Sequence, residues 1–191
     1  MATKDFAHLH VHTEYSMLDG AARLGDLFTH AKELGMKSMA TSDHGFLFGA
    51  FDFWRQAKAH DIKPIIGVEA YLTPGTHRTD RSRVRWGDGS RDDVSGGGAY
   101  THMTMWAETT EGMHNLFRAS SIASLEGQLY KPRMDREVLQ TYSKGLIATT
   151  GCPSGEIQTR LRLGQFDEAI QAASDFRDIF GKDNFYCEVM D

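Results

Sequence analysis

The sequence predicts an α/β protein whose strands form a barrel with helices around it. Strand-like and helix-like apolar patterns alternate along nearly all 191 residues, and such alternation is typical of parallel strands joined by right-handed crossovers. The chain contains about six such units and lacks the glycine-rich fingerprint of a dinucleotide-binding sheet. We therefore predict a barrel-like (β/α) fold rather than an open doubly wound sheet.

The first part of the chain predicts three strands and two helices. These elements are strand 6–11, helix 23–34, strand 36–41, helix 48–60 and strand 64–72. Gly35 suits the C-cap of the first helix, and the second helix carries Phe51, Trp54 and Ala57 on one side. Strand 64–72 is nearly all apolar, which indicates that both of its faces are covered.

The pattern stops over residues 73–99, which are rich in glycine, arginine and aspartate. The mixed charge of this long segment suits a solvated flap at least as well as a nucleic-acid arm. The later elements are strand 100–107, helices 111–124 and 135–141, strand 145–149, helices 154–163 and 166–180, and a sixth strand over 185–190. The apolar face of the last helix consists of Phe166, Ala169, Ile170, Ala173 and Phe176.

The composition excludes several classes of protein. The chain is 40% hydrophobic, which is enough for the core of one domain, and no apolar run reaches the roughly 18 residues of a membrane span. The first residues lack the apolar centre of a signal peptide. Two cysteines cannot form a disulfide framework, which favours the cytoplasm. A net charge of −5 argues against holding nucleic acid by charge alone, and nine histidines indicate metal chemistry.

Side chains of the types that ligate metals lie in or just after five predicted strands. They are His10 and His12, Asp43 and His44, Glu69, His102, and Cys152. In a parallel barrel these strand ends converge on the C-terminal face, where active sites of this architecture lie. The joint placement predicts a metal site more strongly than any one residue does.

Each residue also has a plainer interpretation. His10 and His12 are two positions apart on one strand face, about 6.6 Å along the backbone, yet such a pair can be merely a polar strand end. Asp43 and His44 could belong to a turn, and Cys152 could be a small buried hydrophobe. Glu69 is harder to explain without a cation, because an unpaired carboxylate inside an apolar strand costs several kcal/mol.

The chemistry that suits these ligands is a multinuclear metal centre that activates water. Mixed histidine, carboxylate and cysteine ligands favour zinc, with manganese or iron also suited, and such a centre can clamp a phosphoryl group during in-line attack. Residues 152–155 open a predicted helix whose free N–H groups could hold a phosphate. Ser154, Lys131 and Arg133 are candidate phosphate contacts, although exposed lysine and arginine are usually just solvated.

The remaining histidines and the second cysteine predict no site. His8 shares the face of His10 but lies one step deeper, which predicts a hydrogen-bonded core histidine. Surface positions are predicted for His30, His60, His77 and His114. Cys187, in the predicted sixth strand, is most simply a core residue.

Several segments together resemble one known family. The segments are HLHVHTEYSMLDG (8–20), TSDHG (41–45), KPIIGVEAYL (63–72), YTHMT (100–104), YKPRMD (130–135) and TTGCPSGEI (149–157). They are similar to the PHP (polymerase and histidinol phosphatase) domain and, more narrowly, to the PHP domain at the N-terminus of bacterial DNA polymerase III alpha subunits. The resemblance covers essentially residues 1–191 as one PHP domain.

The resemblance implies a distorted (β/α)7 barrel with up to three Zn²⁺ or Mn²⁺ ions. It adds Asp19 to the ligands, demotes Asp43 to a neighbour of a ligand, and so implies the set His10, His12, Asp19, His44, Glu69, His102 and Cys152. The implied activity is a metal-dependent 3′–5′ exonuclease that proofreads for the attached DNA polymerase. The alternative is a structural platform that docks a separate exonuclease. A phosphatase acting on a small phosphomonoester is a third possibility, disfavoured by the polymerase-type segments.

The implied partners are those of a replicative polymerase subunit. They are the primer 3′ end of DNA, the polymerase domains of the same chain with their Mg²⁺, and replisome subunits such as the sliding clamp, with no membrane. The family pattern ends in a DxH pair on a last barrel strand, and this sequence stops at Asp191 without one. We therefore expect a barrel truncated after about six strands, with incomplete metal binding and little nuclease activity in the chain alone.

Overall fold

A computed structural model describes residues 6–88 and 93–190 and shows helices arranged around one mixed β-sheet. The strands are β1 (Ser38–Thr41), β2 (Lys63–Leu72), β3 (Thr101–Ala107), β4 (Gln128–Leu129), β5 (Lys131–Met134), β6 (Leu146–Thr149) and β7 (Phe185–Tyr186). The helices are α1 (Leu24–Glu33), α2 (Ala50–Ala59), the short α3 (Ser95–Gly98), α4 (Thr110–Glu126), α5 (Arg136–Tyr142), α6 (Glu156–Arg162) and α7 (Phe166–Phe180). The predicted α/β class is confirmed, and no helix in the described ranges is long and apolar enough to cross a membrane.

The sheet has the order β4-β5-β2-β3-β6-β7, with β1 pairing beside the first half of β2. The prediction that the strands are all parallel is wrong, because β3 runs antiparallel to both β2 and β6. The reason lies in the connection over residues 73–100. In the described part of this connection the only helix is the short α3, which cannot carry the chain back across the sheet. The chain therefore re-enters at the end where β2 stopped.

The predicted first and last strands are only partly formed. The segment 8–11 lies beside β1 and runs in the same direction, but only the His8 and Val11 carbonyls accept backbone hydrogen bonds from it (3.0 and 2.9 Å). In place of a strand over 185–190, only Phe185 and Tyr186 form β7. Side chains link the first segment to distant strands: the Trp106 indole of β3 donates to the Leu9 carbonyl (3.0 Å).

Two clusters of buried side chains lie along the long β2 strand. One includes Ile66 from its first half, and the other includes Val68, Ala70 and Leu72 from its second half. The buried face of α2 consists of Ala50, Phe53 and Ala57, so the prediction that Ala57 shares one side with Phe51 and Trp54 is wrong. Those two rings are 67% and 45% exposed and stack on each other instead.

The face of α7 needs a similar correction. Ala169 and Phe176 are buried as predicted, together with Ala172 and Phe180. Phe166 and Ile170 are 62% and 52% exposed. The apolar stripe on this helix is therefore wider than the surface that the sheet can cover.

Arg133 is the largest fully buried side chain in the described residues, at 1% exposure. Its guanidinium donates to the carbonyls of Gly127, Ala99, Arg78 and Asp80 at 2.8–3.2 Å. The predicted phosphate contact at Arg133 is inconsistent with this placement, because the group is committed to the backbone and closed off from solvent. Arg133 instead ties the segment after β2 to the β4–β5 hairpin.

We predict that Arg133→Met lowers the free energy of unfolding by about 3 kcal/mol or more, because four buried carbonyls lose their donors. Urea unfolding followed by circular dichroism measures this difference. The matched control is Arg118→Met, since Arg118 is exposed on α4, and it should change the value by less than about 0.5 kcal/mol. Equal values for the two variants would contradict the anchoring role.

Candidate metal centre

The carboxylate of Glu69, 1% exposed, lies in the middle of four imidazole rings. Its Oε2 atom is 3.0 Å from His12 Nε2, 3.0 Å from His44 Nδ1 and 3.5 Å from His10 Nε2. Its Oε1 atom accepts a hydrogen bond from His102 Nδ1 at 2.8 Å. Glu69 therefore connects four histidines from three separate segments of the chain.

The backbone around β1 and β2 places the first three histidines. The Ser42 hydroxyl bonds to both the N–H and the carbonyl of Val11 (2.8 and 3.2 Å), which holds the flanking His10 and His12 against the end of β1. His44 follows β1 and pairs with Glu69 on β2, and the Gly45 N–H donates to the Glu69 carbonyl (2.9 Å). Gly45 has a φ of +69°, and a Cβ there would lie 2.7 Å from the Tyr71 ring, so this turn requires glycine.

The antiparallel direction of β3 explains how His102 reaches the site. His102 is the second residue of β3 and lies opposite Tyr71, near the end of β2. In a parallel strand it would have been at the opposite end of the barrel. Cys152 comes from the loop after β6, with its Sγ atom 3.6 Å from His102 Nδ1. The His102 N–H donates to the Ser154 carbonyl (3.1 Å), which fixes this loop against β3.

Asp19 reaches the site from an irregular segment that Asp43 organises. Asp19 Oδ2 is 2.8 Å from His44 Nε2. Asp43 is 5% exposed and accepts four hydrogen bonds, from the Thr13 N–H and from the hydroxyls of Thr13, Ser16 and Thr41 (2.6–3.0 Å). The carboxylate of Asp43 thus belongs to the support of the site and does not face its centre.

All seven predicted ligands line one cavity of about 370 Å³, together with Met190: His10, His12, Asp19, His44, Glu69, His102 and Cys152. The predicted phosphate contacts do not line it. Lys131 lies over the Tyr71 ring at 5.3 Å. The N–H groups of Ser154 and Gly155 point to the Cys152 sulfur and carbonyl, so they are already occupied.

The donor atoms suit a cation at the centre of this cavity. Three overlapping groups of three residues place their ligand atoms within 4.8 Å of one another. They are His10, His12 and Glu69; His12, Asp19 and His44; and His44, Glu69 and His102. Among the described residues, Glu69 Oε2 and His44 Nδ1 are buried without a well-aligned hydrogen bond, although they are 3.0 Å apart. Such converging, poorly paired atoms are the arrangement that a shared cation satisfies.

The crowding of these groups shifts their pKa values. Burial raises the pKa of Glu69, but the four surrounding histidines outweigh it and hold that pKa well below its usual range. Burial lowers the pKa of His10, whereas Glu188 and Glu69 raise it, to a net value of about 9. Burial, with the charge of Glu69, raises the pKa of the Cys152 thiol to about 12. Without a cation, the site therefore keeps protons on His10 and Cys152 at neutral pH.

Glu188 is the site residue that sequence reasoning missed. It lies two residues beyond β7, and its Oε1 atom is 2.5 Å from His10 Nδ1. The signal was present, because Glu188 is a lone carboxylate within a segment predicted as an apolar strand, as Glu69 is. The argument used for Glu69 applies equally to Glu188.

Two predictions outside the site are wrong. His8 is exposed and contacts the Phe6 ring edge-on at 4.8 Å, because the first segment lies at the border of the sheet. Cys187 is exposed because β7 ends one residue earlier. His30, His77 and His114 are exposed as predicted. His60 is half-buried at the end of α2, where it bonds to the Gln56 carbonyl (2.9 Å).

Comparison with known proteins gives a family match to the PHP domain over residues 8–191. A DNA polymerase III subunit alpha from Saccharopolyspora erythraea is 59% identical over 200 residues, covering 100% of this chain and 17% of the relative. The Mycobacterium tuberculosis H37Rv protein of the same name is 55% identical, covering 100% of this chain and 16% of that protein. The DNA polymerase III subunit alpha from Aquifex aeolicus is 42% identical, covering 98% of this chain and 16% of that protein.

The chain thus spans about one sixth of the length of the curated relatives it matches. Among solved structures, an amidohydrolase from Chromobacterium violaceum aligns with 95% of this chain, and 84% of that chain is covered. The sequence identity is 12% and the TM-score is 0.46.

We predict that Asp43→Ala destabilises the chain by about 2–4 kcal/mol, because the donors on Thr13, Ser16 and Thr41 lose a buried acceptor. The free energy of urea unfolding measures the loss. Asp183→Ala is the control, since Asp183 is exposed. An effect of Asp43→Ala no larger than that of the control would show that this network does not support the site.

Proposed function

Because the chain belongs to the PHP domain family, we propose that it is the PHP domain of a replicative DNA polymerase III alpha subunit. The proposed reaction is metal-dependent hydrolysis of the phosphodiester at a primer 3′ end, that is, 3′–5′ exonuclease proofreading. The polymerase domains of the same subunit would supply most of the contacts to DNA. The net charge of −5 fits this division, since the domain has no excess of positive charge to hold DNA.

The observation that carries the proposal is the convergence of seven ligand-type side chains on one cavity at one end of the sheet. They come from the first segment, the loop before α1, β2, β3, and the loops after β1 and β6. No residue type in the implied ligand set is substituted. A site kept only as a scaffold needs no such set, since hydrophobic packing holds a sheet end together without buried charge.

The donor set indicates how the residues would divide among cations. Glu69 would help to hold more than one of them, since its two oxygens face different histidines. The imidazoles and the Cys152 sulfur favour zinc, and the carboxylates of Asp19 and Glu69 also suit manganese. When bound, such cations supply a water of lowered pKa and positive charge for the phosphoryl oxygens.

The chain's own residues then fix the geometry of the site. Three segments present the four imidazoles close together. The ring separations run from 4.1 Å between His12 and His44 to 5.8 Å between His44 and His102. The Asp19 side chain, 55% exposed, lies at the open side, where a substrate would enter. Glu69 lies at the buried side of the cavity, at 1% exposure, so a terminal phosphodiester would enter from the side of Asp19.

A structural platform without catalysis is the second candidate, and one observation favours it. An exposed apolar depression of about 400 Å³ lies between the loop before α2 and helix α4. Phe48, Phe117 and Leu125 line it at 73%, 42% and 85% exposure. Exposed apolar patches of this kind mark protein contacts, and a polymerase domain or a separate exonuclease would be the partner.

We predict that zinc binding to the metal-free chain releases protons at about pH 7. The cation must displace protons from His10, with a pKa of about 9, and Cys152, with a pKa of about 12. The apparent affinity should therefore rise with pH between about 6 and 8. Isothermal titration calorimetry in two buffers of different ionisation enthalpy counts the protons. Cys152→Ser should lower the count, and binding without proton release would contradict the assignment.

We predict that His12→Ala in a full-length alpha subunit containing this chain slows digestion of a mispaired primer by about 100-fold or more. Loss of a residue that only hydrogen-bonds a metal ligand already lowers metal affinity or activity by about 10–100-fold, and loss of a ligand itself should cost at least as much. The assay follows 3′-end digestion with added zinc or manganese, with primer extension measured in parallel. Extension should be unchanged, and His114→Ala, exposed on α4, should change neither rate. Full digestion by His12→Ala would overturn the catalytic proposal. No digestion by the unaltered, metal-loaded subunit would favour the platform.

A further inference from the structure

Glu188 is held rigidly at the edge of the candidate metal centre. Its N–H donates to the Thr150 hydroxyl (3.0 Å), and the Thr150 N–H donates to the Tyr186 carbonyl (3.0 Å). These two bonds extend the pairing of β7 with β6 beyond the strands themselves. The position of the Glu188 side chain is therefore set by the sheet and not by a free chain end.

The two oxygens of Glu188 have different partners. Oε2 accepts from the hydroxyls of Thr104 and Thr149 (2.8 and 2.5 Å), on the neighbouring strands β3 and β6. Oε1 faces His10 Nδ1 at 2.5 Å. Since the hydroxyls fix the plane of the carboxylate, its remaining oxygen points at one ring nitrogen only. Both side chains are 13% exposed, so little water competes for this contact.

The contact distinguishes the two nitrogens of His10. A carboxylate accepts hydrogen bonds, so Nδ1 carries the proton and Nε2 is the atom left for a cation. Nε2 points toward Glu69 Oε2, 3.5 Å away at the centre of the cavity. His12 has only the neutral Ser16 hydroxyl at its outer nitrogen, at 3.3 Å. His44 also has a carboxylate at its second nitrogen, since Asp19 Oδ2 is 2.8 Å from Nε2, but Asp19 belongs to the implied ligand set and Glu188 does not.

We propose that Glu188 is a positioning residue that keeps His10 in the Nδ1-protonated form with Nε2 directed at the metal. This role rests on the proposed metal centre. Carboxylates that bond the outer nitrogen of a ligating histidine fix its tautomer and orientation and raise its basicity. Glu188 acts through His10 and touches no other member of the ligand set.

The first test measures zinc affinity of the chain by competition with a chelator. Glu188→Ala should weaken binding by about 10–100-fold, and Glu188→Gln, which keeps an oxygen acceptor and the shape, should weaken it less. Val189→Ala, on the neighbouring residue that is 89% exposed, is the control and should leave the affinity unchanged. In a His10→Ala background, Glu188→Ala should cause no further loss, because the residue through which it acts is gone.

The second test follows the His10 ring protons by NMR in the metal-free chain. The parent and Val189→Ala should show a downfield Nδ1–H signal that Glu188→Ala abolishes. Folded Glu188 variants that retain this signal and the parent's zinc affinity would overturn the positioning role. A parent chain that binds no zinc would overturn the metal centre itself, so the two failures are distinguishable.

Discussion

A buried carboxylate surrounded by imidazoles is the constraint on which the structure depends. Glu69 is 1% exposed and contacts four histidines from three segments. A charge removed from water this completely is costly unless opposite charge or hydrogen bonds surround it. The strands must therefore bring their histidines to one end of β2 to satisfy it. The hydrogen bonds of Asp43 and Glu188, which support the site from outside the cavity, follow from the same requirement.

The antiparallel strand β3 shows how topology serves this constraint. It carries His102 at its start, and reversing its direction would move that residue away from Glu69. The chain reaches β3 through a long connection fixed by the buried Arg133, whose guanidinium bonds four carbonyls. Residues 73–99 suited either a flap or a nucleic-acid arm in the sequence. In the structure, this segment is tied to the folded core at Arg78 and Asp80. The stability of this segment and the geometry of the site are linked, because Arg133 lies on β5 and Glu69 lies on the neighbouring strand β2.

The two candidate functions depend on different surfaces of the same molecule. The inward cavity gathers nitrogen, oxygen and sulfur donors, and the exposed apolar depression beside α4 lies elsewhere on the surface. Because the linings share no residue, a domain of this kind can keep a docking role while its ligands change. Retention of all seven implied ligands in this chain is what favours catalysis as the first proposal.

Much of the fold and site could be predicted from residue patterns alone. Periodicity located α1, α2, α4, α7 and the apolar strand β2, because burial of one face dictates that pattern. The lone carboxylate of Glu69 predicted a cation site on energetic grounds, and the family resemblance supplied Asp19, whose irregular segment has no periodic signal. Strand direction, the burial of Arg133 and the contact of Glu188 with His10 could not be predicted. They depend on which segments become neighbours in space, 178 residues apart in the last case, and only tertiary packing decides that.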